Sequence, residues 1–476
     1  MMKEQAMLIA GKWKHKEQVI QVDDPGTGEV IGSVPNGSSE DMEEALESAL
    51  EGKNIASSMS IRDRMNILTK AAELVDDNHE EISQLISSEG IKTITEARSE
   101  ATRAAETLRL CAEEARRLTG ETINFDQMPG NTDRHGYTYR FPLGIIGAIT
   151  PFNDPFNLVV HKIGPAIAGG NAVILKPATQ TPLSALWLTE KLLEAGLPER
   201  VMSVVTGSGG EVTPPLVESS EVRMITFTGG LPTGERIAKT AGLKKLSMEL
   251  GSNSPFLVFN DANIDKAAEA AVAGSYGAGG QNCLSVQRIF VQKEVEETFT
   301  QKFLEKTEQL ITGDKKSEET DIGPVISENV AKNIIADIRN AEEKGAEILC
   351  GGTRDHCFVQ PTLLRNVPKR HSLYQEEIFG PVALLHTFSS YEEAIDLANE
   401  VNFGLQAGVF TNHLQTAHQT IADLHVGGVM INDSSDFRID AMPFGGVKGS
   451  GIGREGPHTA LMDMTEPRVA CFKMDG

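Results

Sequence analysis

The sequence predicts an α/β protein with two doubly wound, Rossmann-type units and a small β arm, and three patterns in its 476 residues predict it. From about Ser39 to Leu118 apolar residues recur at intervals of three and four, the period of packed amphipathic helices. From Gly144 onward, short, continuously apolar runs alternate with helical segments, first to about Gly251 and again from Pro255 to about Met430. Strands buried on both faces of a parallel sheet read in this unbroken way, so each series implies one α/β unit. Two isolated runs, Tyr137-Thr138-Tyr139-Arg140-Phe141 and Arg468-Val469-Ala470-Cys471-Phe472, instead alternate like exposed strands.

Taken in order, the chain opens with two extended runs, Trp13 to Val22 and Val30 to Val34, separated by the turn Asp24-Pro25-Gly26-Thr27-Gly28-Glu29. The helical block follows, opened by Ser39-x-x-Met42 with an acidic first turn. The first α/β series holds Ile145-Ile146-Gly147-Ala148-Ile149, Ala172-Val173-Ile174-Leu175 and Val201 to Val205; the second holds Ser285 to Val291 and Pro381 to Phe388. No internal repeat or low-complexity linker interrupts them.

A chain of this length accommodates two or three domains, each with its own core. Its formal charge of −23, from 67 acidic against 44 basic residues, repels nucleic-acid phosphates and anionic lipid, so neither partner is expected. The absence of a long apolar stretch and the polar start Met1-Met2-Lys3-Glu4-Gln5 predict a cytoplasmic protein. Five widely spread cysteines without a Cys-x-x-Cys pair suggest neither a disulfide framework nor a zinc site, and the 11 histidines show no metal-binding spacing; no metal is expected.

Four segments carry candidate chemistry. Gln281-Asn282-Cys283 follows the glycine-rich Gly274 to Gly280, where small side chains let a substrate and backbone amides approach a thiol. Alone, Cys283 reads equally as a small core residue. Glu249, in Ser247-Met248-Glu249-Leu250-Gly251, is an acid in an apolar run, either a general base or a loop glutamate. Asn153, in Thr150-Pro151-Phe152-Asn153, places an amide after a parallel strand, where open α/β sheets bind ligands; its plain reading is a turn residue. Finally, Ile225-Thr226-Phe227-Thr228-Gly229-Gly230-Leu231-Pro232-Thr233-Gly234 lacks the common dinucleotide spacing, yet leads from a strand through glycines to a helix predicted to begin near Glu235. With Lys176-Pro177 at the end of another strand, it forms a candidate cofactor cleft.

Together these segments resemble the aldehyde dehydrogenase superfamily over nearly the whole chain. The markers run in the family's order: the Asp24-Pro25-Gly26-Thr27-Gly28 turn, Pro151-Phe152-Asn153, Lys176-Pro177, Phe227-Thr228-Gly229, Glu249-Leu250-Gly251, Gly280-Gln281-Asn282-Cys283, Glu377-Ile378-Phe379-Gly380-Pro381 and Pro443-Phe444-Gly445-Gly446 to Gly451. The resemblance implies NAD(P)-dependent oxidation of an aldehyde to a carboxylic acid. Cys283 would attack the carbonyl, Asn153 and the Cys283 amide would hold the oxyanion, and Glu249 would activate the water that hydrolyses the thioester. It further implies Glu377, Phe379 and Phe152 around the nicotinamide end, Gly229, Gly230 and Gly234 at the pyrophosphate, and Lys176 at the adenosine ribose. Thr179 stands where NAD-preferring members carry a glutamate, and so admits NADP as well as NAD.

Within the family the likeness is to lactaldehyde, phosphonoacetaldehyde and non-phosphorylating glyceraldehyde-3-phosphate dehydrogenases. That implies a small hydroxylated or anionic aldehyde, with Arg103 and Arg438 as candidates for its charged tail. Arg103 reads equally as a surface residue paired with Glu106 or Glu100, and Asn282 stands where several phosphate-specific relatives have another arginine. A CoA-acylating enzyme and a non-catalytic structural relative are the alternatives; Glu249 argues against the first and the retained trio against the second. The expected organisation is a discontinuous cofactor domain (1–122 and 143–251), a catalytic domain (252–443) and an oligomerisation arm (123–142 and 455–476) of a homodimer or homotetramer.

Overall fold

The computed structural model describes residues 3–474, so Met1-Met2 and Asp475-Gly476, within the expected first and last segments, lie outside the described residues. The helical block resolves into four helices, Ser39–Ser58, Ile61–Asp77, His79–Glu89 and Ile94–Arg117. The last buries Ala97, Ala101, Ala104, Ala105, Leu108, Cys111, Ala112 and Ala115, a stripe at intervals of one, three and four. Alanine on this face lets the helix axes approach closely, and Leu68, Ala71 and Ala72 of the second helix fill the same core.

The first large sheet has eight strands. Its centre is five parallel strands in spatial order Lys245–Glu249, Val222–Thr228, Ile145–Ile149, Ala172–Lys176 and Met202–Val204. Strand order reverses between Ile145–Ile149 and Val222–Thr228, and the carboxyl ends at that switch point form the crevice where ligands bind in open α/β sheets. The expected run Trp13 to Val22 is two strands belonging to different sheets: Lys12–Lys14 extends the large sheet, while Val19–Asp23 pairs with Val30–Pro35. The intervening Lys16-Glu17-Gln18 segment is polar and turns the chain.

The second large sheet has seven strands: Glu347–Cys350, Thr362–Arg365, Val382–Phe388, Val286–Gln292, Ser254–Val258, Gln406–Phe410 and Gly428–Ile431 in spatial order. All neighbours are parallel except the first pair. Cys283 precedes the strand Val286–Gln292, and Glu377 and Phe379 precede Val382–Phe388. The amino edge of this sheet therefore faces the carboxyl edge of the first, and the candidate site lies in the seam.

A third, three-stranded sheet pairs Arg134–Pro142 antiparallel with Thr465–Lys473 on one side and Thr122–Ile123 on the other. It leaves Tyr137, Tyr139, Val469 and Phe472 exposed. Not all of the C-terminal segment joins it. The helix Pro457–Asp463, expected with the arm, packs against the helices Asn157–Ala168 and Ile94–Arg117 because Ala460 and Leu461 are buried there. The helix expected near Glu235 begins earlier, as Leu231–Thr240, with Gly230 as its N-cap and Pro232 in the first turn, where a missing N–H costs nothing.

Candidate active site

The nucleophile loop is built by local backbone constraint. Ala278, Gly279 and Gly280 all adopt positive φ, at 52°, 62° and 67°. A Cβ at Gly280 would lie 2.1 Å from the Gly380 carbonyl oxygen, so only glycine lets the loop pass this close to its neighbour. Glu96, at the start of the helix Ile94–Arg117, anchors the loop by accepting the Ala278 N–H at 2.7 Å. The Gln281 amide accepts from the Ile326 N–H at 2.9 Å and donates to the Pro324 carbonyl at 3.3 Å. Cys283 emerges half-buried where two cavities meet, of about 500 and 270 Å³. Burial, reinforced by the charge of Glu377, pushes its thiol well above the ordinary range, so it rests protonated.

Asn153 and Glu249 line both cavities together with Cys283. Glu249 ends the strand Lys245–Glu249 and is 2 % exposed, and neither of its carboxylate oxygens has a hydrogen-bond partner among the described residues. Burial raises its pKa well above the ordinary carboxylate range, and the neighbouring negative charge of Glu455 adds to the shift. Glu455 itself stays ionised: against the penalty of burial, Lys162 at 2.8 Å and Arg438 hold it down at about 2. Sequence reading did not single out Glu455 or Lys162, which lie 293 positions apart and meet only in the fold.

The larger cavity has the makings of a dinucleotide site. Lys176 lines it, donates to the Thr179 hydroxyl at 3.0 Å, and has its pKa lowered by burial to about 8. Thr179 in turn donates to the Gly207 carbonyl at 3.0 Å. Gly229 and Gly230 line the cavity where the helix Leu231–Thr240 begins, and Gly209 and Gly210 where Gly209–Glu218 begins. Neither helix has a side-chain cap, and while the Thr233 and Glu211 amides turn back to the Gly230 and Ser208 carbonyls, the amides of Leu231, Gly209 and Gly210 have no partner among the described residues and are available to an anion. Gly234, expected at the pyrophosphate, sits inside its helix and is not among the residues lining the cavity, and a Cβ there would lie 2.4 Å from Leu250. Its lack of a side chain serves packing of that helix on the sheet. Thr213 and Arg236, unremarked in the sequence, line the cavity instead. In the same cavity wall as Cys283, the Phe152 and Phe379 rings meet edge to face at 5.7 Å. Glu377 accepts the Ser252 N–H at 2.8 Å, and burial raises its pKa to about 7.

The smaller cavity contains both candidate arginines, with commitments the sequence did not reveal. Arg103 pairs with neither Glu106 nor Glu100; its Nε and Nη2 donate to the two oxygens of Asp440 at 3.0 and 2.8 Å. The chain folds Asp440 onto this helix from 337 positions away. Against burial, hydrogen bonds from His161 and Arg103 hold Asp440 well below the usual carboxylate range. Arg438 stacks 3.8 Å above the Phe444 ring, and its Nη2 lies 3.4 Å from Glu455. Its charge is thus spent inside the protein. Among the described residues no group of His, Cys, Asp and Glu is arranged to hold a metal ion, and no helix is long and apolar enough to cross a membrane.

Comparison with known proteins agrees with this architecture throughout its length. The sequence profile described as "Aldehyde dehydrogenase family" matches residues 13–470. A putative aldehyde-dehydrogenase-like protein y4uC of Sinorhizobium fredii is 46 % identical over 453 residues, covering 95 % of this chain and 88 % of its own. Aspartate-semialdehyde dehydrogenase 1 of Pseudomonas canavaninivorans is 45 % identical over 460 residues, covering 97 % and 98 %. The crystal structure of NADP-dependent glyceraldehyde-3-phosphate dehydrogenase from Bacillus halodurans C-125, complexed with NADP, superposes with a TM-score of 0.97 at 37 % identity, covering 100 % of both chains.

Proposed function

The chain belongs to the aldehyde dehydrogenase family, and on that premise we propose that it oxidises a small hydroxylated or anionic aldehyde to its carboxylic acid through a thioester on Cys283, with NAD or NADP. The observation that carries this reading is the convergence of Cys283, Asn153 and Glu249 at the junction of a nucleotide-sized cavity with a small polar one. The unit around the first sheet then serves as the cofactor domain, that around the second as the catalytic domain, and the β arm joins subunits into a dimer or tetramer.

The residues fit the cofactor. The helix starts at Leu231 and Gly209 suit a pyrophosphate, and Phe152, Phe379 and Glu377 line the same cavity as Cys283. Lys176 has a hydroxyl and no carboxylate as its partner, which leaves its charge, with that of Arg236, available to a 2′-phosphate. The relative solved with NADP supports acceptance of that form. When bound, the nicotinamide supplies the hydride acceptor.

In the first half of the reaction the Cys283 thiol gives its proton to solvent water and its sulfur adds to the aldehyde carbon. The Asn153 amide donates to the oxygen as it becomes an oxyanion. Loss of hydride from the resulting carbon leaves a thioester on Cys283. In the second half Glu249, ionised, takes a proton from water as the water attacks the thioester, and the acid departs with the thiol restored. A base with a raised pKa suits that step, because it is strong enough to deprotonate water as the new bond forms.

Two relatives are named for aldehydes with an anionic group, aspartate semialdehyde and glyceraldehyde 3-phosphate, which supports the substrate class. The test is to mix purified protein with NAD or NADP and a panel of short neutral and anionic aldehydes, following absorbance of the reduced nicotinamide. Signal that is lost in Cys283→Ala, with free acid rather than an acyl-CoA as product when CoA is present, is the expected result. Equal signal from Cys283→Ala overturns the mechanism.

A further inference from the structure

The smaller cavity has a charge imbalance that bears on which aldehyde it takes, given the reading of this cavity as the aldehyde site. Nearly every charged group on its wall is already held by a partner. Lys92 forms ion pairs with Glu100, at 2.8 Å, and with Asp154. Arg438 faces Glu455, and Glu96 spends its oxygens on the Thr93 and Ala278 amides. Apart from Glu249, the base, Asp436 is the wall carboxylate that meets neither a cation nor a backbone amide among the described residues. Its side-chain partner is the Asn282 amide, whose own oxygen is fixed by the Leu284 N–H at 3.1 Å. Asp436 is therefore held in place by the residue adjacent to the nucleophile, with its second oxygen open.

Beside it stands a cation with an open edge. Arg103 binds Asp440 through Nε and Nη2, and its Nη1 has no partner among the described residues, while the side chain stays 34 % exposed at the cavity. Arg103 and Asp436 both line this cavity without bonding each other; burial raises the Asp436 pKa to about 6, and the Arg103 charge is the main influence opposing that rise. A tail with only a carboxylate or phosphate satisfies Arg103 but sets a second negative charge beside Asp436. A tail with only an ammonium satisfies Asp436 and faces Arg103. A tail bearing one of each matches both.

We propose that this cavity selects a short amino-acid semialdehyde, with the substrate ammonium on Asp436 and its carboxylate on the Nη1 edge of Arg103. Asp436 is then a specificity residue that, among aldehydes with an anionic tail, favours one that also carries an ammonium. The volume of about 270 Å³ confines the choice to a chain of a few carbons.

The decisive comparison is 2-amino-4-oxobutanoate against 4-oxobutanoate, the same aldehyde without the amino group, with propanal as a neutral reference. The wild type is expected to favour the amino substrate by about tenfold or more in kcat/KM, the worth of one charge-assisted hydrogen bond. Asp436→Asn is expected to lower kcat/KM for the amino substrate by a similar factor and to raise it for 4-oxobutanoate, collapsing the ratio through KM. Asp436→Glu, which keeps the charge, is expected to retain part of the preference. A wild-type ratio at or below one, or an equal loss on both substrates in Asp436→Asn, overturns the proposal while propanal oxidation leaves the aldehyde dehydrogenase reading standing. Silence with all three aldehydes and both cofactors overturns that reading and this one with it.

Discussion

At the scale of single residues, Cys283, Asn153 and Glu249 were legible because each lies in a local pattern: a glycine approach, a strand end, an acid in an apolar run. Their proposed roles predict separable defects. Glu249→Gln is expected to slow thioester hydrolysis by about 10²–10⁴-fold, as for loss of a general base, while a burst of reduced nicotinamide persists. Asn153→Ala is expected to cost about 10²–10³ in kcat and to remove that burst, since it acts on the first oxyanion. Glu249 works only when ionised, so hydrolysis rises with pH through a value well above the ordinary carboxylate range. Glu455→Gln removes the adjacent negative charge, lowers the Glu249 pKa and moves that rising limb to lower pH in a pH–rate profile. Thr179→Glu is expected to place a carboxylate beside Lys176 and shift the ratio of kcat/KM values toward NAD by about tenfold or more, read with each nucleotide in turn. Asp436 and Glu455 escaped sequence reading for one reason: their meaning is set by partners such as Asn282, 154 positions away, and Lys162.

At the scale of elements, the helix Ile94–Arg117 connects folding to the site. Thr93 and Glu96 form a reciprocal capping box, and the Glu96 oxygen not used by Thr93 holds the Ala278 N–H of the nucleophile loop. Thr93-Ile94-Thr95-Glu96 is a readable helix start, whereas its second duty depends on a loop 182 positions away. Thr93→Ala is expected to lower stability by about 1 kcal/mol in denaturant titration with kcat preserved. Glu96→Ala is expected to lose similar stability and also kcat, because the loop carrying Cys283 loses its anchor; equal kcat in the two variants would count against the anchor. The early start of the helix Leu231–Thr240 has a related lesson: glycine and proline together marked a turn in the sequence, yet both belong to the helix's first turn.

At the scale of the whole molecule, the carboxyl edge of one sheet meets the amino edge of the other, which brings residues from Lys92 to Glu455 around one cavity. The arm lies outside this seam. Its outer strand, Thr465–Lys473, is an edge of the third sheet with Val469 and Phe472 exposed. An apolar strand edge of this kind invites pairing with another subunit. Val469→Asp with Phe472→Asp is expected to lower the assembly state, from tetramer to dimer or from dimer to monomer, in sedimentation velocity.

The sequence alone determined the classes of element, the two α/β series, the arm and the residues proposed to carry the bond chemistry, because periodicity and turn chemistry act over a few neighbouring positions. The tertiary structure decided which charges are spent and which remain open. Arg103 and Arg438 both read as candidates for a charged tail in one dimension, but in three Glu455 faces Arg438, Asp440 takes two of the Arg103 nitrogens, and Asp436 lines the same cavity without an ion pair among the described residues. A buried charge is defined by what surrounds it within a few ångströms, and those neighbours come from segments that only the packed fold brings together.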